Sequence, residues 1–341
     1  MTTILRPAYS VVLGGQRWTA QLSTVEVRLA MAPMVDVAMV RLPAAAPVSA
    51  DLDDPVEIEL DGGEGADSVF TGSVHTIRRE LSAITVTALN GGGRLAQHRP
   101  ATTYEQITAA NLIRSLCSDV EVSTGELDTG VSLAYYAADP GRNALEHIAR
   151  VAGWGGALVR FDADGRLGST VVNAVQAELA LRYGRELLAL DQARTAAPVT
   201  SFVVAGEAGA SSHSAAPALR ATTDFFGGSR PDGPSATSRW RFEPALRTAA
   251  AASTAGAALD RSYRASRSCA GFTAMLVPKL RPGTVLEIQD LPDGLDGGPY
   301  WVDRVSHRMS AAGALTRVRL RLGGDTFDPA ALLAGALSAL L

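Results

Sequence analysis

The sequence predicts an α+β chain that is mostly β, with strand-rich segments toward both ends and a mixed α+β segment between them. Three observations predict it. Apolar and polar residues alternate through short runs over residues 8–90, and again from about 270 to 322. Side chains on a strand point to opposite faces in turn, so this period of two marks half-buried antiparallel strands. Between these regions, over about 95–180, the apolar spacing becomes helical. A chain of 341 residues exceeds the usual single-core limit, so more than one domain is expected.

The first region reads as Tyr9–Leu13 and Arg17–Gln21 around a Gly14-Gly15 hairpin signal, then Thr24–Leu29, Val37–Leu42, Val56–Leu60, Val69–Ile77 and Ile84–Leu89. Short strands about ten residues apart suit a small barrel or sandwich. Gly91-Gly92-Gly93 reads as a hinge. Thr103-Tyr104-Glu105-Gln106 fits a capping box and predicts a helix over about 104–118. A second helix is capped by Asp139, with Pro140 in its first turn, a stripe of Leu145, Ile148, Ala149 and Ala152, and Gly153 as its stop. A hairpin follows, Ala157–Phe161 and Leu167–Val172 around an Asp-Ala-Asp-Gly turn. Strands resume at Pro198–Ala205. Residues 206–237, dominated by Ala, Ser, Gly and Pro, predict a mobile loop. An alanine-rich helix at about 245–265 leads to Ala270–Val277 and three closing strands. In the last of these Val318, Leu320 and Leu322 alternate with Arg317, Arg319 and Arg321.

Composition narrows the function classes. Hydrophobic residues make up 47% and charged residues 19%, enough for packed cores, and the formal net charge of -4 gives no reason to expect nucleic acid as a partner. Only Lys279 among the 31 basic residues is lysine. No run reaches the roughly 18 apolar residues that span a bilayer, so no membrane insertion is expected. The N-terminus does not resemble a signal peptide, which predicts synthesis in the cytoplasm. Cys117 and Cys269 read as buried free thiols.

The order of motifs resembles a known family. The helix Thr-Tyr-Glu-Gln-Ile-Thr-Ala-Ala-Asn-Leu-Ile, the Tyr135-Tyr136 pair, Asn143–Arg150, Gly153-Trp154-Gly155-Gly156, Arg281-Pro282-Gly283 and Tyr300-Trp301-Val302 with Val305 and His307 carry it. Over about residues 5–324 the chain is similar to the baseplate hub family of contractile tails, which includes phage late-control protein D and the hub half of VgrG spike proteins. The resemblance implies two tandem antiparallel β-barrel domains with an α+β insertion between them, three such chains forming a ring of six barrels. It divides the sequence into an N-terminal barrel (1–94), the insertion (95–185), a second barrel (186–327) and an apolar tail (328–341). It implies a homotrimer bound to an inner tube protein, to other baseplate proteins and to a spike, expected here as a separate polypeptide, within a phage-tail-like particle.

No catalytic, cofactor or metal site is expected. Glu57 and Glu59 face outward together and select no carboxylate pair, and His75, His98, His147, His213 and His307 have no ligand spacing. His307 reads as a hydrogen-bonded structural group. Candidate interface residues are Arg317, Arg319 and Arg321 on the last strand and Leu332, Leu333 and Leu337 in the tail, whose uncharged helix after Asp328-Pro329 would not stay in water. Two competing readings are a tail-associated peptidoglycan or glycan hydrolase, and a receptor-binding tail protein.

Overall fold

The computed structural model describes residues 6–171, 176–196, 201–206 and 238–322. The predicted loop beyond 206 and the tail leucines Leu332, Leu333 and Leu337 lie outside the described residues.

The first region folds as its alternation dictates. β1 (Ala8–Leu13) and β2 (Gln16–Trp18) turn at Gly14 and Gly15, whose φ values of 53° and 82° are what a two-residue hairpin needs at both central positions. β3 (Thr24–Ala30), β4 (Val37–Pro43), β5 (Pro55–Asp61), β6 (Ala66–Arg79) and β7 (Ala83–Leu89) follow, with Val25, Val27, Val56, Ile58 and Leu60 buried. Where a hinge is expected, α1 (Gly91–Gln97) begins instead. Asn90 caps it by accepting from Gly92 N–H at 3.0 Å. The glycines serve packing: a Cβ on Gly93 would lie 2.9 Å from Leu89, and one on Gly91 3.1 Å from Val122. Close approach therefore overrides glycine's poor helix propensity.

The middle region corrects two helix boundaries. Thr102–Thr108 is a strand, β8, because its β-branched residues pair with β10 (Ser132–Ala138); α2 (Ala109–Ser118) starts only at the Thr108 cap. β9 (Thr124–Leu127) lies between them in sequence. α3 (Ala144–Gly155) is capped by Asn143 in a capping box with Glu146, and Gly156 (φ 81°) is its left-handed stop, in place of Asp139 and Gly153. β11 (Ala157–Phe161) and β12 (Leu167–Val171) form the expected hairpin. The Tyr136 hydroxyl meets His147 Nδ1 at 2.6 Å and its ring meets Trp154 edge-on, so the aromatic motifs in this stretch serve one packed cluster.

The last region supplies β13 (Leu179–Arg182), β14 (Leu187–Arg194), the parallel pair β15 (Ser201–Ala205) and β16 (Ser238–Phe242), α4 (Ala249–Arg267), β17 (Ser268–Met275), β18 (Val285–Gln289), β19 (Tyr300–Ser310) and β20 (Gly313–Leu322). α4 packs on α3 and β15, joining the core of the middle region rather than that of the closing strands.

Two separate closed barrels are not what the hydrogen bonding draws. Among the described residues, thirteen strands form one sheet with no closed barrel, its path running β14-β17-β20-β19-β3-β4-β7-β6-β5-β1-β2, with β18 and β13 branching from β19. The physical reason is one joint. β19 pairs antiparallel with β3 from Arg304 opposite Ala30 to Ser310 opposite Thr24, so the first and last regions share a single hydrophobic core.

Within that sheet the strand order repeats. The first region runs β1-β5-β6-β7-β4-β3 and the last runs β13-β18-β19-β20-β17-β14, which is the same order when strands are counted along each segment with the short hairpin strand β2 and the separate β15–β16 pair left out. They differ in one orientation: β13 lies parallel to β18, whereas β1 is antiparallel to β5. The repetition extends to single hydrogen bonds. Asp53 N–H donates to Val74 O and Val74 N–H to Asp54 O, at 2.8 and 2.9 Å; Gly283 N–H donates to Val302 O and Val302 N–H to Thr284 O at the same distances. Asp53 and Gly283 both take positive φ, 66° and 88°. One residue later each long strand bulges, at His75 in β6 and Asp303 in β19.

Buried polar groups brace the joint. His307, fully buried on β19, lies 3.0 Å from the Thr316 hydroxyl through Nδ1 and 3.1 Å from Leu280 O through Nε2. Burial pulls its pKa down to about 4. Asp36 accepts from Ala30 N–H and from the Asn90 amide, both at 2.8 Å, and burial pushes its pKa up to about 7 against the pull of those bonds and of Arg281. These shifts act in opposite senses. As pH falls below 6.5 the unfolded chain protonates His307 first, and stability drops until about pH 4. As pH falls through about 7 the folded chain protonates Asp36 first, and stability rises until 3.8. Urea unfolding at pH 7.5 and 5.0 should show Asp36→Asn losing about 2 kcal/mol more than wild type on acidification, and His307→Gln losing about 2 kcal/mol less. Parallel pH profiles for all three proteins would refute both assignments.

Candidate assembly interface

The solvent face of the large sheet is rich in arginine. Arg317 and Arg319 are exposed on β20, and Arg321 is half-buried. β20 pairs on both edges, with β17 and β19, so these side chains project from a strand that is hydrogen-bonded on both sides. Residues opposite each other across antiparallel strands share a face. Arg319 thus stands beside Arg304 on β19, and Ser306, opposite Arg317, is next to Arg28 on β3. Arg308, exposed on β19, faces Glu26, and Arg41 on β4 lies opposite Thr24. The surface crosses the joint between the two regions.

Like charges placed directly opposite are unfavourable, and the β19 bulge compensates. The extra residue Asp303 is turned into the row, 8% exposed, and accepts from Arg321 Nε at 3.1 Å while sitting 3.6 Å from Arg304 Nε. Arg321 also lies over the Trp301 ring, 5.6 Å from its centroid. Glu26 holds Arg28 at 2.6 Å. No carboxylate partner is present for Arg41, Arg308, Arg317 or Arg319 among the described residues. The arrangement offers fixed, planar hydrogen-bond donors to a surface bearing carboxylates.

Strand alternation in the sequence identifies Arg317, Arg319 and Arg321 but not Arg28, Arg41, Arg304 and Arg308, which only the pairing of β19 with β3 brings beside them. Net charge conceals the grouping. Leu332, Leu333 and Leu337 lie outside the described residues.

Other polar clusters are committed to structure. A cleft beside α3 contains Asp139, Glu146 and Glu243, but Asp139 binds Arg142 and Gly141 N–H, Glu146 completes the cap, and Glu243 is gripped by Arg150 and Arg241. Glu57 and Glu59 project from the outer face of β5, as alternation predicts, with Glu59 3.6 Å from Arg17. No group of His, Cys, Asp and Glu that could hold a metal ion occurs among the described residues, and no helix there is long and apolar enough to cross a membrane. Cys117 and Cys269 are free; Cys117 is buried as expected, whereas Cys269, at the start of β17, is only half-buried.

No family model matches the sequence, and no curated protein matches it. Solved structures do match the fold. The 43 kDa tail protein of prophage MuSo2 from Shewanella oneidensis superposes with a TM-score of 0.68 at 15% identity, over 93% of this chain and 99% of that one. The fold is that of a phage tail protein. A tail protein from Neisseria meningitidis has the same fold at TM-score 0.69 and 13% identity, over 92% and 96% of the two chains. The E. coli c3393 protein, a type VI secretion component described as structurally similar to the T4 tail proteins gp27 and gp5, matches at TM-score 0.64 and 10% identity, covering 92% of this chain and 77% of its own. At these identities the tail-protein fold is shared while side chains have diverged, so the arginine face is described for this chain alone.

Removing the carboxylate under that face should expose the repulsion it offsets. Asp303→Asn is expected to cost about 1–2 kcal/mol in low salt, and 1 M NaCl should recover most of that by screening the row. Denaturant midpoints for both proteins at both salt levels decide it; a salt-independent loss would mean that Asp303 acts through packing alone.

Proposed function

We propose that this chain is the structural baseplate hub of a contractile injection system or phage-like tail. Three copies form a ring that adapts a hexameric inner tube to a trimeric spike, with other baseplate proteins around it. The observation that carries this reading is the repeated strand order, β1-β5-β6-β7-β4-β3 and β13-β18-β19-β20-β17-β14, with its matching hydrogen bonds and bulges. Two like barrel-like units per chain give six per trimer. A closed threefold assembly can then present a near-sixfold surface without six identical subunits. The tail-protein fold shared with prophage and type VI secretion proteins supports the same setting. In this reading the arginine face and the apolar segment 328–341 are contact surfaces, and the role is mechanical: rigid paired strands carry the thrust of contraction to the spike. No observation favours the hydrolase or receptor-binding readings.

Native mass measurement tests the ring. The chain alone should run at three times its 35.5 kDa, and with tube and spike proteins it should enter their complexes in three copies. A monomer under every one of those conditions would overturn the proposal. Deleting residues 328–341 should weaken spike attachment while leaving the trimer intact; unchanged spike binding would remove that segment from the contact.

A further inference from the structure

The repeated strand order gives each strand of the β19–β3 joint a counterpart, and both counterparts have an edge with no partner among the described residues. β6 corresponds to β19 and β14 to β3. β19 gives one edge first to β18, at Tyr300 and Trp301, and beyond its bulge to β3. β6 gives the same edge to β5 as far as Ser73, and beyond its bulge Thr76–Arg79 have no backbone partner on that side among the described residues. β3 uses one edge for β4 and the other for β19. β14 uses one edge for β17, and from Leu188 to Arg194 the other is unpaired among the described residues. Neither edge is blunted by proline or lysine, and unpaired edges of this kind are templates for another strand.

We propose that the edge of β6 in one copy pairs antiparallel with the edge of β14 in the next, repeating between subunits the joint that β19 and β3 make within one. The occupant is a second copy of this chain because the fold already contains the mating geometry: two strands in these positions do pair. The proposal rests on the ring reading above. It also fixes a register. Equating the bulges His75 and Asp303 places Thr76 at the position of Arg304 and Arg78 at that of Ser306. Following β7–β4 and β20–β17 across the sheet places Ala193 at the position of Arg28. Since Ser306 lies opposite Arg28, Arg78 should lie opposite Ala193 of the neighbour with Asp191 on its diagonal, and Arg79 opposite Gln192. The same register brings the β6–β7 hairpin tip, where Leu81 is fully exposed, toward the part of β14 that carries Leu188, 53% exposed. Adding a strand to an open edge in this way gains main-chain hydrogen bonds over its whole length.

A cysteine pair tests the register. Arg78→Cys with Ala193→Cys is made in a Cys269→Ser chain, because Cys269 faces Ala193 on β17 and would compete. Ser306→Cys with Arg28→Cys in the same background is the in-chain control. Mild oxidation should convert the first protein into covalent dimers and trimers, and the control into an internally linked monomer, on denaturing gels. Thiols held opposite each other should link at least about tenfold faster than Arg78→Cys alone, whose thiols meet by collision. A native trimer that closes the control but gives no ladder would overturn the edge pairing and leave the ring standing. A native monomer throughout would overturn both.

Discussion

The pairing of β19 with β3 is the constraint on which the rest of the molecule depends. It joins residues about 275 positions apart into one ladder and makes one core from two strand sets. Closing a loop of that length costs chain entropy once, and the whole of the intervening chain is then confined. The middle region sits across this joint: Ala32 N–H donates to Val159 O, Arg160 donates to Pro282 O at 2.6 Å, and the Thr71 hydroxyl donates to Ala163 O at 2.8 Å. Arg281, whose guanidinium bonds Ser68 O and feels Asp36 and Asp162, links all three parts.

The repeat inside the chain is conserved in backbone logic and relaxed in chemistry. At the shared hydrogen-bond pair one segment uses Asp53 and the other Gly283, two residue types that tolerate positive φ for different reasons, one through local side-chain bonding and one by lacking a Cβ. At the shared bulge one uses exposed His75 and the other buried Asp303. A bulge inserts one residue and re-aims it. In β19 that residue neutralises an arginine row, while in β6 the neighbouring strand positions carry Thr76, Thr85 and Thr87 and need no such counter-charge. Position in the fold is retained, and the side chain answers to its neighbours.

Much of the secondary structure was legible because alternation is local. Every strand expected between Tyr9 and Leu89 is present, and the Arg317–Arg321 face points outward as the period of two requires. Errors came where a short signal competed with a distant partner. Thr102–Thr108 carries a capping motif, yet β10 claims it as a strand. Gly91-Gly92-Gly93 looks like a hinge because the contacts that make it a helix, with Leu89, Val122 and Phe161, are spread over about seventy residues. β9, β10, β13, β14 and β16 are not among the expected strands: β14 has only Leu187 buried, and β16, though it alternates, is five residues long beside the Ala/Ser/Gly/Pro segment. The joint itself leaves no local trace, and with it went the separate closed barrels and half of the arginine face.

That face shows how net charge misleads about surfaces. The chain totals -4, but acids and bases are not mixed evenly over it. The paired strands anchor these arginine side chains at strand spacing, about 5 Å between backbones, so their charges are kept near one another. Arginine tolerates such crowding better than lysine, since its charge is delocalised, more weakly hydrated and able to stack, as Arg321 does on Trp301. Among the described residues two carboxylates, Glu26 and Asp303, are set into the row around the joint, and both bind arginines of that row. Arg308, Arg317 and Arg319 therefore keep donors directed outward. A sheet that needed only solubility could have met it with mixed charge; this one holds a surplus of a single sign on strands paired along both edges, where a partner's carboxylates would meet donors already in place and lose little side-chain entropy in binding them.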